Sequence, residues 1–414
     1  MLLLLILHLY NIILYLYGKA IQIAALKNPK AKLWVQGRQN TFQYLEENVS
    51  ESDDIIWIHT PSLGEFEQAR PLMQILKKEY IQYKILITFY SPSGYEVRKK
   101  YPLADYVCYL PLDTKVNAQR FVKLIKPVYT FFVKYDFWPN YLIALQNLNH
   151  KHYVISAIFR NNHYFFKKTG AWMLNIISNF DHLFVQNEDS KYMLLTRNIT
   201  QVSNVGDTRF DRVLEITNNV NELPILDHFK GHNPLFICGS TWDQGEDMMV
   251  EFIKHYGSRF KYVIAPHEMR PSALDKLESS IELEVLRYSN ANVQKAETAH
   301  VLIIDNIGLL SSLYAYADIA YIGGGFGKGI HNILEAATFG MPIFIGPNNQ
   351  KFQEAVDLKN IGVAIEIKSA QEMIAQSDLL LTRPNRWNEL KEKGAQYVRE
   401  KAGATKKIVR KVFK

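Results

Sequence analysis

Apolar residues fall along this chain in two rhythms. At the front, LLLLILHLYNIILYLY (residues 2–17) is apolar almost without a break, interrupted by His8 and Asn11, and a softer patch runs from Ile21 to Leu26. From residue 55 the rhythm changes to short apolar runs, each followed by a polar loop and then by helical spacing. The runs at 55–59, 84–89, 106–110, 128–133, 153–157 and 182–186 predict strands. Phe66, Ala69, Leu72, Met73, Ile75 and Leu76 predict an amphipathic helix over 65–79. Such alternation implies parallel strands joined by right-handed helical crossovers, with a site formed by the loops at the carboxyl ends of the strands.

Near 214–233 the alternation lapses into a polar stretch containing Pro224, which predicts a linker. Strands are predicted again at 235–238, 262–265, 284–286, 301–304, 319–322 and 343–345, enough for a second α/β domain facing the first. The expected organisation is a membrane-anchor helix over 1–26, a Rossmann-like domain over 27–213, the linker over 214–233, a second Rossmann-like domain over 234–395 and a basic helix over 396–414. Extended through Leu26, the apolar front can cross a membrane or lie in its surface. Lys19, Lys27, Lys30, Lys32 and Arg38 follow with no acid before Glu46, which predicts that the rest of the chain stays on the cytoplasmic face of the inner membrane. The segment has neither the basic start nor the small-residue cleavage site of a signal peptide.

Composition sharpens this little. With 414 residues, 48% of them hydrophobic, the chain can bury two cores. A net charge of +7 favours an anionic partner, whether nucleic acid, acidic phospholipid or phosphorylated substrate. Cys108 and Cys238 each lie in an apolar run and read as buried thiols.

Candidate chemistry concentrates where strands end. After the run at 319–322 comes a glycine cluster, Gly323, Gly324, Gly325, Gly327 and Gly329, and then a predicted helix over 332–339. A glycine-rich strand-to-helix turn lets phosphate approach the main chain, and Asn332 and Glu335 share a helix face from which a carboxylate can grip ribose hydroxyls. The spacing is not that of a P-loop, because Gly327-Lys328 follows Gly323 one residue too soon and Gly329 stands where a hydroxyl residue is needed. It matches the dinucleotide fingerprint only in part. Glu65, at a strand-loop-helix turn, is a candidate general base; simple complementation of its helix dipole is the competing account. Lys134 and Asp136 follow another strand, and Arg209 offers a fork for phosphate or carboxylate. Ser240, Thr241 and His267 sit after strands in the second half, and Ile307 and Gly308 can turn backbone groups to a nucleobase. None of His59, His267 and His331 sits in a metal-ligand spacing such as H-E-x-x-H, and no structural metal is expected.

Taken together, Ser62-Leu63-Gly64-Glu65, Trp138-Pro139-Asn140, Gln186-Asn187-Glu188, Gly206-Asp207-Thr208-Arg209-Phe210-Asp211, Asp305-Asn306-Ile307-Gly308 and His331-Asn332-Ile333-Leu334-Glu335-Ala336 resemble the 3-deoxy-D-manno-octulosonic acid (Kdo) transferases, membrane-associated GT-B glycosyltransferases of lipopolysaccharide synthesis. The resemblance implies a GT-B fold with two facing Rossmann-like domains and a central cleft. It implies CMP-Kdo as donor, the lipid A precursor as acceptor, contact with an anionic membrane surface, and no cofactor, metal or nucleic-acid partner. Glu65 becomes the base of an inverting displacement, with Asp136 as a second acid. Ser240, Thr241, His267, Ile307, Gly308, Gly327, Gly329, Asn332 and Glu335 would hold the donor, and Arg209 and Lys134 the anionic acceptor.

The chain departs from the family pattern in places. Lys134-Tyr135-Asp136-Phe137 stands where Glu-Thr-Glu-Leu is usual, Pro266-His267 replaces Arg-His, and the Ser-Thr-His-Glu-Gly-Glu-Glu stretch becomes the longer Ser240-Thr241-Trp242-Asp243-Gln244-Gly245-Glu246-Asp247. The alternatives are a GT-B transferase using another activated sugar, and a membrane-tethered glycolipid-binding protein without catalysis.

Overall fold

The computed structural model describes residues 2–218 and 220–413. They divide into two compact units, one made of the chain up to Arg212 together with the residues from Gly403 onward, the other of Val213–Ala402.

The first unit is built on seven parallel strands, β1 (Ile55–His59), β2 (Lys84–Phe89), β3 (Tyr106–Tyr109), β4 (Tyr129–Val133), β5 (Lys151–Ala157), β6 (His182–Val185) and β7 (Val202–Asn204). Their order is β3-β2-β1-β4-β5-β6-β7. Side chains alternate across a strand, so β1 feeds two cores: Ile55 and Trp57 pack with Phe121, Phe132 and Tyr141 on one face, and Ile56 and Ile58 with Phe66, Leu72 and Phe131 on the other. Helices cover both faces, which is why the central strands read as unbroken apolar runs.

The helix Leu2–Ala24 lies on this unit with Tyr10 and Asn11 turned inward, while His8 is exposed. The Tyr10 hydroxyl donates to Asp113 Oδ2 at 2.9 Å, and Asn11 Oδ1 accepts from the Lys115 N–H and the Asn140 amide. Asp113 is buried and also accepts from the N–H groups of Asn140 and Tyr141, at the start of the helix Pro139–Asn147. Burial outweighs these donors and pushes its carboxyl up to about 7. Leu5, Leu9, Ile12, Ile13, Leu16 and Ile23 point outward and are exposed. Among the described residues no helix is long and apolar enough to cross a membrane.

The second unit repeats the plan with β8 (Leu235–Thr241), β9 (Lys261–Pro266), β10 (Val285–Arg287), β11 (Val301–Ile303), β12 (Ile319–Ile322), β13 (Ile343–Ile345) and β14 (Ala364–Glu366), in the order β10-β11-β9-β8-β12-β13-β14. Residues 214–233 carry the end of the helix Thr208–Asn218 and a further helix, Pro224–Lys230, which buries Leu226 and Phe229. The tail is not one helix. Pro384–Lys401 ends before Gly403, which takes φ +106°, and Ala404–Val412 begins anew on the first unit.

In each sheet the connections reverse direction once, beside β1 and β4 in the first and beside β8 and β12 in the second. At such a switch point the loops on either side part and leave a crevice at the carboxyl edge.

Candidate active site

In the first unit the crevice is flanked by the loops after β1 and β4. The helix Leu63–Glu79 starts two residues earlier than its apolar spacing predicts, so Glu65 sits in its first turn. Glu65 Oε1 accepts from Lys134 Nζ at 2.7 Å, and the Ser62 hydroxyl donates to Oε2. Burial pushes this carboxyl up, but the Lys134 ammonium and the Ser62 hydroxyl outweigh it, and the net effect holds Glu65 below its ordinary range. Lys134 is placed by a left-handed backbone, φ +64°, at the end of β4. That conformation is costly for a side-chain-bearing residue and tends to accompany functional geometry. Lys134 is thus the ion-pair partner of Glu65.

Asp136 belongs to a separate chain of bonds that begins in the core. The Trp57 indole, which can only donate, bonds Thr88 Oγ1 at 2.8 Å. Thr88 meets His59 Nδ1 at 2.9 Å, and His59 Nε2 lies 3.0 Å from Asp136 Oδ2. The Trp138 indole adds a second bond to that oxygen at 2.8 Å. His59 is fully buried, whereas the Asp136 side chain is about one third exposed. Trp138 stacks on Tyr90 with centroids 4.7 Å apart, and the Tyr90 hydroxyl meets that of Tyr17 on the N-terminal helix. Arg209 grips Asp207 through Nε and Nη2, each at 2.7 Å.

In the second unit the crevice lies between the loops after β8 and β12. A side chain on Gly323 would overlap the carbonyl of Ser240, itself in a left-handed conformation at φ +53°. The glycine turn closes on itself: the N–H groups of Gly327 and Gly329 both bond the Gly324 carbonyl, where the sequence suggests they lie open to phosphate. The loop after β13 braces it, with the Asn348 N–H on the Gly325 carbonyl and the Asn348 amide on that of Gly327. The helix begins at Leu334, so Asn332 precedes it instead of sharing its face with Glu335. The two still meet, Asn332 Nδ2 donating to Glu335 Oε1 at 2.9 Å while Asn332 Oδ1 accepts from the Leu334 N–H. The Thr241 hydroxyl is buried and donates to Glu246. Ile307 is 90% exposed beside Gly308, whose φ is +99°.

Beside the glycine turn three rings assemble. The Trp242 indole N–H bonds His331 Nε2 at 2.9 Å, and His267 stacks on both, its centroid 4.7 Å from that of Trp242 and 4.3 Å from that of His331. Burial and the neighbouring His267 hold the His331 imidazole down at about 4.

Sequence reasoning left out His59, Trp242, His331 and Asn348 as candidate groups. A signal existed for His59, Trp242 and His331, since each borders or opens a stretch singled out for other residues. Asn348 gains its role only through folding.

The sequence profile described as 3-Deoxy-D-manno-octulosonic-acid transferase (kdotransferase) matches residues 36–212. The 3-deoxy-D-manno-octulosonic acid transferase of Rickettsia bellii is 25% identical over 346 residues, covering 81% of each chain. That of Haemophilus influenzae is 26% identical over 369 residues, covering 86% of this chain and 85% of its own. Among solved structures, a putative UDP-N-acetylglucosamine 2-epimerase from Listeria monocytogenes superposes with a TM-score of 0.58 at 14% identity, over 86% of this chain and 95% of its own. That likeness concerns the fold.

Proposed function

We propose that this chain is a Kdo transferase, as its similarity to that glycosyltransferase family supports, and that it moves Kdo from CMP-Kdo to a lipid A precursor at the cytoplasmic face of the inner membrane. The observation that carries the reading is the grouping on the first unit: Glu65 lies at the switch point, and the Tyr17–Tyr90–Trp138–Asp136 series leads from the outward-facing apolar helix to the same strand edge. A lipid-borne sugar needs an acid for its hydroxyl and an apolar surface for its tail. A helix that docks by Tyr10 and Asn11 and exposes Leu5, Leu9, Ile13 and Leu16 suits insertion along a membrane surface.

In the proposed step, ionised Glu65 takes the proton of the acceptor hydroxyl. That oxygen forms its bond to the anomeric carbon of Kdo from the face opposite the nucleotide, and the bond to the CMP phosphate oxygen breaks with its electron pair leaving on CMP. Lys134 explains how a carboxylate held below its ordinary range gains basicity. An acceptor phosphate draws the ammonium away, and burial then raises Glu65 when the hydroxyl is in place. Asp136, fixed by His59 and Trp138, orients the acceptor sugar. In the second unit the glycine turn, Ser240, Thr241, His267, Ile307 and Gly308 surround the donor, with Asn332 and Glu335 on its ribose.

Incubation of membranes containing the protein with CMP-Kdo and lipid A precursor should give a lipid heavier by one or more Kdo residues. Glu65→Gln should lower kcat by roughly 10²–10⁴-fold. An unchanged lipid mass with the native protein would dismiss the reading, and a competing nucleotide sugar that gave product would redirect it to another donor.

A further inference from the structure

Trp242 lies in the stretch after β8, and the structure gives its indole a use. An indole N–H can donate and cannot accept. At 2.9 Å from His331 Nε2 it obliges that nitrogen to be unprotonated, so the neutral imidazole carries its proton on Nδ1. The two rings lie 11° from coplanar with centroids 6.3 Å apart, joined edge to edge as two bases are in a pair. His267 covers the seam, tilted 27° from the indole and 26° from the imidazole.

The Cδ2–Nε2 edge of the His331 ring abuts the glycine turn, where a Cβ on Gly324 would come within 3.0 Å of Cδ2 and 3.2 Å of Nε2. The His331 N–H bonds the Gly323 carbonyl, so main chain and ring of one residue brace the turn from two directions. Without the indole nothing in this trio would fix the imidazole's rotation about its Cβ–Cγ bond. The surface on which His267 rests would then lose its flatness. Trp242 also lines a small cavity with Thr241, Glu246, Pro266 and Arg270, and it is 41% exposed, so its ring can be altered without opening the core.

We propose that Trp242 is a positioning residue of the donor site, holding His331 as a hydrogen-bond acceptor and thereby fixing His267 as the ring whose nitrogens meet the donor. The role assigned to His267 rests on the proposed function; the lock between Trp242 and His331 does not. A bound donor meets a preset ring, and the ordering cost of that ring is met in folding rather than in binding.

The test uses the full chain labelled with ¹⁵N-histidine. Near neutral pH the His331 imidazole, assigned by its loss in His331→Gln and distinct from His152, whose Nδ1 donates to the His150 carbonyl, should show a proton on Nδ1 and a bare Nε2, and Trp242→Phe should convert the His331 signal to the ordinary tautomer or a mixture. In the same variant KM for CMP-Kdo should rise about 5-fold, the worth of one hydrogen bond, with kcat and the KM of the acceptor little changed. Trp242→His, which restores a ring N–H, should recover most of the loss. A tautomer signal that survives Trp242→Phe overturns the lock, and a lost signal with an unchanged donor KM overturns the positioning role. Failure of the native protein to transfer Kdo would instead strike the functional reading, because the tautomer is read without substrate.

Discussion

Glu65 shows how two opposing effects on one carboxylate set a pH profile. Burial alone would keep it protonated further toward neutrality, and the ammonium of Lys134 reverses that. Because the folded-state pKa is depressed, the pair favours the folded state above the ordinary carboxylate value of 4.5, and this contribution is lost as pH falls through the lower, folded value. The base is competent only when ionised. In kcat/KM, which reports the free enzyme, transfer should therefore hold level through neutral pH and fall only in acid, below the ordinary carboxylate range. Lys134→Met removes the cation and leaves burial in charge, so the acid limb of kcat/KM should move upward in pH while the KM of the phosphorylated acceptor rises. A limb that stays where it was would mean that Lys134 does not govern Glu65. His59 illustrates the opposite kind of residue. Sealed at the end of β1, it acts through Asp136, and in the sequence it looks like any core histidine.

At the scale of elements, the apolar runs announce the central strands because both faces of each are covered, and the expected bounds of β1, β2, β12 and β13 coincide with the observed ones. The strands that sequence reading passes over, β7 and β14, are three residues long and lie at sheet edges, where Val202-Ser203-Asn204 needs apolar packing on fewer sides. Glu65 is legible from the strand-loop-helix pattern around it. Its pairing with Lys134 spans 69 positions and depends on β1 lying beside β4, which only the strand order supplies. The N-terminal helix is legible as apolar, but not as two-sided. Tyr10, Asn11 and Leu14 face the unit, whereas Leu9, Ile13 and Leu16 face out. Leu9→Ser with Leu16→Ser should thus weaken sedimentation with anionic vesicles by roughly 10- to 150-fold per leucine, at about 1.5–3 kcal/mol of lost apolar burial each, and leave thermal stability nearly unchanged. Tyr10→Phe should do the reverse, lowering stability by about 1–3 kcal/mol as buried Asp113 loses a donor, with the vesicle-binding surface intact. Equal losses of vesicle binding in both variants would mean that the helix does not divide its work between two faces.

For the molecule as a whole, the chain leaves the first unit after Arg212 and returns to it at Gly403, and Asp211 holds both passages. Its Oδ1 accepts the Gly403 N–H at 2.5 Å, and its Oδ2 accepts the N–H and hydroxyl of Thr405 at 2.7 and 2.6 Å. The returning helix Ala404–Val412 then buries Ala404, Ile408 and Val409 in the core beneath β1 and β4, and Phe413 packs 4.6 Å from Tyr80 and 4.7 Å from Tyr129. A segment that reads as a basic tail therefore completes the core of the first unit, and the lysines that dominate its sequence are the face left to solvent. Deleting residues 403–414 should cost the first unit several kcal/mol, since Ile408 and Val409 alone account for about 1.5–3 kcal/mol each and Asp211 loses three donors. Hydrogen exchange followed by mass spectrometry should show protection falling in peptides from β1 and β4, while peptides from β8 and β12, in a sheet with its own core, keep theirs. Loss of protection in both sets together would mean that the two units unfold as one, and the division of the chain at Arg212 and Gly403 would then carry no thermodynamic meaning.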